Sequence, residues 1–182
     1  MTHKLKNGRS VEVRLLNNSD NEKLFQYFDQ HFSKESKSRF GPHPFDRETI
    51  NSICQDPNEE TKRYVAIDEE DNIVAYMLIK QGMIDWDKER YATRDQFYNY
   101  DDSVTFAPSV ADAWQSSGVG SLMNSIIEDG LRKRNIKNII LWGGVQATNE
   151  KAVSFYKKTG YQFIASFWHD EKDNFDMVKE LH

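Results

Sequence analysis

The chain has little of several things, and each shortage excludes something. Among its 182 residues there is one cysteine, Cys54, so no intrachain disulfide can form. A reducing, intracellular compartment fits that. No apolar run approaches the about 18 residues that a membrane-spanning helix needs, and the opening MTHKLKNGRS has no apolar segment of the kind a secretory leader carries. Together these predict a cytoplasmic protein with no membrane partner. Positive charge is also short: 24 Lys and Arg stand against 29 Asp and Glu, a formal net charge of −5. Non-specific nucleic-acid binding needs a basic surface, so no nucleic-acid partner is expected. An anionic small molecule is not excluded, because local backbone dipoles can hold one. Repeats, low-complexity tracts and linkers are missing too, and residues 1–182 read as a single domain.

What is there suits a folded core. Hydrophobic residues make up 38% and aromatics 13%, beside 29% charged residues, which is a globular composition rather than a disordered one. Val11 to Leu16 alternates like a strand. Ser19-Asp20-Asn21-Glu22 has the capping-box pattern, and Leu24, Phe25, Phe28 and Phe32 follow at helical spacing, predicting a helix from about Asp20 to Phe32. SKESKSRFGPHPF reads as a loop. Asp46 caps a short helix carrying Ile50, Ile53 and Cys54, ended by Gln55-Asp56-Pro57. RYVAI and IVAYMLIK form a hairpin. Residues 81–101 are a charged, aromatic insertion, read either as a closing loop or short helix or as an ordinary surface excursion. A strand from Ser103 to Trp114, a helix from Gly118 to Asn135, a buried strand in IKNIILWGGV, a helix in NEKAVSFYKKTG and two closing strands complete the order.

The stretch Gln115-Ser116-Ser117-Gly118-Val119-Gly120-Ser121 places two glycines at the start of a helix, although glycine costs roughly 1 kcal/mol there against alanine. Val119, Leu122, Met123, Ile126, Ile127 and Leu131 give that helix an apolar stripe. Its first turn leaves backbone N–H groups without helical partners, and the dipole adds positive partial charge. Glycine keeps side chains off such amides, so the stretch fits an anion site. On the glycines alone, a tight strand-to-helix turn that needs glycine for its dihedrals is the simpler reading. A dinucleotide fingerprint fails, because position 123 is Met, and so does a Walker loop, because no Gly-Lys-Ser/Thr follows.

QSSGVGS matches the Q/R-x-x-G-x-G/A motif of the GNAT acyl-CoA N-acyltransferases, and NEKAVSFYKKTGYQF resembles that superfamily's N-x-x-A-x-x-F-Y-x-K-x-G-F/Y segment. Their spacing and the element order also resemble that fold. The resemblance implies an α/β (α+β) architecture: a mixed, mostly antiparallel sheet of six to seven strands, helices on both faces, and a splay between central parallel strands. It implies acetyl-CoA as cosubstrate, no metal, and transfer of an acetyl group to a primary amine, either a small molecule or a lysine side chain. It also implies that the amides from Ser116 to Ser121, with Gln115, bind the pyrophosphate. The strand edge at Val110 and Ala111 would pair with pantetheine, Asn149 would bond to it, and small Ala152 would leave it room. A homodimer stays open.

Direct attack in a ternary complex asks the protein chiefly to position two reactants. Tyr156 matches the tyrosine that protonates the departing thiolate; alternatively it is an aromatic packed beside Phe155. Many members carry a strand Glu as base where this chain has Val104 and Thr105, which leaves Asp101 and Asp102 as the nearest carboxylates, with His43 and His169 as other bases and Asp112 as a structural group. Ser116 and Ser117 replace a Gly and a basic residue. SKESKSRF faintly resembles a segment of protein-lysine acetyltransferase domains, where Arg39 binds an acidic group or pairs with a surface Glu. A non-catalytic acyl-CoA sensor is the other reading, and an α/β protein with glycines that only turn is a third.

Overall fold

The alternating stretch near the start forms β2 (Ser10–Leu15), which pairs antiparallel with β1 (Thr2–Lys4) on one side and with β3 (Thr61–Ile67) on the other. β3 and β4 (Ile73–Gln81) are joined by the turn Asp68–Asn72, whose Asp68 side chain accepts from the N–H groups of Glu70 and Asn72. The computed structural model describes residues 2–56 and 58–182. Pro57, read above as part of a helix stop, lies outside the described residues.

Two compact units emerge, one running to Ile79 and including Ala107–Ile126, the other Lys80–Phe106 with Ile127–His182. In the first, α1 (Asn21–Gln30) and α3 (Arg47–Gln55) bury Leu24, Tyr27, Phe28, Ile50, Ile53 and Cys54. Asp46 caps α3 by accepting from Thr49 N–H at 2.8 Å. The capping box falls earlier than the sequence predicts. Asn17 accepts from Ser19 and Asp20 returns to the Asn17 N–H at 2.9 Å, because a short 3-10 turn precedes α1. Asp20 is also buried and forked by Arg14 at 2.6 and 2.7 Å. The SKESK segment, expected as loop, contains the one-turn helix α2 (Lys34–Lys37), which Ser33 caps through the N–H of Ser36.

In the second unit, α4 (Asp85–Ala92) is the core of the insertion. β5 begins at Ser103 and pairs parallel with β6 (Asn138–Leu141) from Ser103–Asn138 to Phe106–Leu141. One further bond runs from Trp142 N–H to Phe106 O at 2.9 Å. The next rung would need an N–H from residue 108, which is proline and has none. That single residue ends the ladder while β5 continues to Val110. The expected strand to Trp114 stops there because Ala111 and Asp112 N–H turn to Val74 O and His31 O, and Asp112–Trp114 coil into a 3-10 turn.

The expected strand IKNIILWGGV is likewise two strands. Gly143 and Gly144, with φ of 64° and 71°, break it into β6 and β7 (Val145–Gln146). A Cβ at Gly144 would lie 2.7 Å from Phe175 O, so no side chain fits that turn. α6 (Glu150–Lys158), β8 (Gln162–His169) and β9 (Lys172–Glu180) close the chain as expected. The strand order is β1-β2-β3-β4-β5-β6-β9-β7, with β8 on β9. This is the mixed, mostly antiparallel sheet with helices on both sides and a parallel central pair, enlarged to nine strands by the short β1 and β7. α5 (Val119–Lys133) buries Val119, Met123, Ile127 and Leu131, the predicted stripe narrowed to its i, i+4 spine.

Candidate active site

The segment between β5 and α5 is built within the first unit. Its anchor is Asp112. One carboxylate oxygen accepts from Ser33 N–H at 3.1 Å, the other from Ser36 Oγ at 2.6 Å and Gln115 Nε2 at 3.2 Å. The sequence reading of Asp112 as structural agrees with this, and the SKES segment therefore braces the loop. Gln115 turns its side chain to the same brace.

From there the backbone is unusual. Ser116 has φ of 63° and Gly118 of 96°. Nothing lies within 4 Å of where a Gly118 Cβ would stand, so the loop faces open space at that point. Of the six amides from Ser116 to Ser121, two are used internally: Ser117 N–H donates to Trp114 O at 3.2 Å, and Val119 N–H to Ser117 Oγ at 3.3 Å. The N–H groups of Ser116, Gly118, Gly120 and Ser121 have no acceptor among the described residues. Four unpaired donors at the positive end of a 15-residue helix form a cradle for an anion. A pyrophosphate fits the chemistry of that donor set. On β5, Ala111 has its N–H committed to Val74 O at 2.9 Å, while Val110 is half-buried.

In the second unit, Asn149 caps α6 by accepting from Ala152 N–H at 3.3 Å. Its carbonyl oxygen thus serves the cap, while its amide nitrogen has no acceptor among the described residues. Tyr156, 8% exposed, packs against Phe155 and Tyr161 with ring centroids 5.5 and 5.2 Å away. Burial pushes its phenol well above the ordinary range, so it holds its proton at neutral pH. Both sequence alternatives for Tyr156, packed ring and proton donor, are compatible with that position.

Of the candidate bases, Asp102 accepts from Ser103 Oγ at 3.2 Å and pairs with Lys137 Nζ at 3.1 Å. Val104 and Thr105 are buried, and the Thr105 hydroxyl donates to Gly82 O at 2.8 Å. His43 sits among Phe28, Phe40, Phe45 and Tyr76, all within 6.0 Å by ring centroid. Its Nδ1 lies 2.7 Å from Pro44 O, and its buried Nε2 has no partner among the described residues. Burial holds its pKa below the ordinary value. His169 stacks on Trp86 at 4.6 Å. Arg39 takes the simpler of its two readings, pairing with Glu35 at 2.6 Å across one helical turn.

Sequence reasoning missed a buried charge cluster in the second unit. Asp87 and Asp176 are fully buried, and Arg90 bridges them with contacts of 2.6 Å to each. Arg94 adds a contact to Asp176 at 3.4 Å and one to Ser166 O at 3.1 Å. The other oxygen of Asp87 accepts from Gly143 N–H at 3.0 Å, holding the turn after β6. The Asp-x-x-Arg spacing inside an aromatic helix was the available clue. Among the described residues no group of three or more His, Cys, Asp or Glu side chains could hold a metal ion, and no helix is long and apolar enough to cross a membrane.

Comparison with known proteins adds an independent line. The profile of the acetyltransferase (GNAT) family matches residues 23–161. Among solved structures, the GNAT domain of PAT from S. lividans superimposes with a TM-score of 0.77 at 19% identity, over 100% of this chain and 96% of that one. The ribosomal-protein-S5-alanine acetyltransferase of Vibrio fischeri gives 0.74 at 13% identity, over 99% and 96%. The ribosomal-protein-S18-alanine N-acetyltransferase of Escherichia coli gives 0.62 at 15%, over 93% of each. These identities bear on the fold alone.

Proposed function

The chain belongs to the acetyltransferase (GNAT) family, and from that premise we propose that it is an N-acetyltransferase acting as one catalytic domain, with a primary amine, small molecule or lysine side chain, as acceptor. The observation that carries the reading is the set of four unpaired amides at the start of α5. Acetyl-CoA, when bound, supplies an activated acetyl thioester. Ser116, Gly118, Gly120 and Ser121 hold its pyrophosphate through backbone N–H groups, and none of the four carries a side-chain cation. The open edge of β5 at Val110 aligns the pantetheine arm, Ala111 fixes that strand to β4, and Asn149 and Ala152 give the arm a donor and room.

The amine nitrogen attacks the carbonyl carbon, the carbon–sulfur bond breaks, and an amide and a thiol result. Asp102 takes one proton from the acceptor ammonium, directly or through water, and so frees the attacking lone pair. Tyr156, kept protonated by burial, gives its proton to the departing sulfur, and the second proton that the nitrogen sheds on becoming an amide returns to Tyr156 through water. Gly120→Glu fills the cradle with a side chain of the same sign as the phosphates; loss of coenzyme A binding by calorimetry is the expected result, and intact binding would remove the loop from the site. An amine panel with thiol release as readout tests turnover. Val104 and Thr105, where a strand carboxylate is missing, favour one second reading, a sensor that binds acyl-CoA without turning it over. Clear binding with no thiol release from any amine would select it.

A further inference from the structure

Residues 2–11 carry His3, Lys4, Lys6 and Arg9 and no acidic residue before Glu12, in a protein of net charge −5. β1 and β2 meet through a tight turn, with Gly8 N–H donating to Leu5 O at 3.0 Å and Leu5 N–H to Arg9 O at 2.8 Å. Arg9 then reaches out of this hairpin. Its guanidinium lies over the Trp114 ring, 4.6 Å from the centroid, and Nη1 donates to Ala113 O at 3.2 Å. Ala113 and Trp114 form the 3-10 turn directly ahead of the amide cradle, in the same unit.

The charge of Arg9 is left over. In this unit Arg14, Arg39, Arg47 and Arg63 each meet a carboxylate. No carboxylate among the described residues lies within ion-pair distance of Arg9, and its Nε and Nη2 have no acceptor there. An arginine stacked on indole and tied by one backbone carbonyl is fixed in place without being neutralised. Such a fork is suited to a phosphate. The adjacent loop has amide donors, but Ser116 and Ser117 bring it no cation. Coenzyme A carries a pyrophosphate and a ribose 3′-phosphate at its ADP end, more negative charge than four amides neutralise.

We infer that Arg9 is the cation of the cofactor site, binding a phosphate at the ADP end of coenzyme A, with Lys4 and Lys6 adding to the local positive field. This rests on the acetyl-CoA reading above. The test is calorimetric titration of the full chain with coenzyme A and with 3′-dephospho-coenzyme A, for the wild type, R9Q and R9M. R9M keeps an apolar stem on Trp114 and decides the matter if R9Q loses its fold, which thermal unfolding reports. Loss of Arg9 is expected to weaken coenzyme A about tenfold. A loss confined to coenzyme A assigns the 3′-phosphate, and an equal loss for both ligands assigns the pyrophosphate; either supports Arg9. Unchanged affinity for both ligands overturns the inference while leaving the acetyl-CoA reading intact. A wild type that binds neither ligand overturns that reading itself, and this inference with it.

Discussion

Single residues set the chemistry and the limits of this chain. Tyr156 on α6 is buried, and burial raises its phenol so that the proton stays on the oxygen at neutral pH. Tyr156→Phe keeps the ring packed edge-on against Tyr161 and removes the hydroxyl. A fall in kcat of about 100-fold is expected, with coenzyme A affinity unchanged; equal kinetics would assign the residue to packing. His43 makes a stability prediction of the opposite kind. Burial lowers its pKa from 6.5, the hydrogen bond to Pro44 O opposes this, and Arg63 lowers it again, against a small contribution from Asp46. The unfolded chain therefore binds a proton that the folded one resists. Stability is full above pH 6.5 and declines as pH falls through the folded value. His43→Gln should flatten the decline in Tm between pH 7 and pH 5; an unaltered slope would mean another group carries it. Some of this was readable beforehand. Gly118 marked a turn or an anion site from its residue type alone, whereas Asn149, read as a cofactor contact, also caps α6. Pro108 was equally visible but meaningless until its neighbour was known, since a missing N–H matters only where a rung is due.

At the scale of elements, local chemistry was legible and pairings were not. α3, α5 and α6 match their predicted spans within a few residues because caps and apolar spacing are written locally. β6 and β7 merged in the sequence reading because an apolar run does not say where Gly143 and Gly144 bend it. α4 was the hardest, for its stabilising partners are distant in sequence. Asp87 and Arg90 on α4 find Asp176 on β9, 86 residues beyond Arg90. Arg90 also stacks between Trp86 and Phe167, 4.2 and 3.9 Å from their centroids. Asp176→Ala leaves Arg90 with one carboxylate in a buried setting, and breaking a buried pair this way costs about 3–5 kcal/mol. Lys88→Ala, which removes the exposed pair with Asp85, should change stability by less than about 0.5 kcal/mol. Urea unfolding distinguishes the two, and similar values for both would mean the cluster is solvated rather than buried.

For the molecule as a whole, the decisive quantity is the coupling of folding to the cofactor. A ligand that binds only the folded chain stabilises it by about 2.7 kcal/mol at a hundred times its dissociation constant. For a chain of this length each kcal/mol raises Tm by about 2–4 °C, so acetyl-CoA at that excess should raise Tm by about 5–11 °C, growing with the logarithm of concentration. The net charge of −5 works against a polyanionic ligand at long range. The attraction must then be local, from the amides ahead of α5 and from Arg9. Local attraction has a particular mark. Gly120→Glu should abolish the Tm rise and R9Q should reduce it, while a charge change of the same size outside the unit that carries the loop, such as Lys88→Gln at an exposed position of α4, should leave it nearly intact. Equal losses from all three would show that net charge, and not the loop, governs binding. A thermal titration of the four proteins decides between the two.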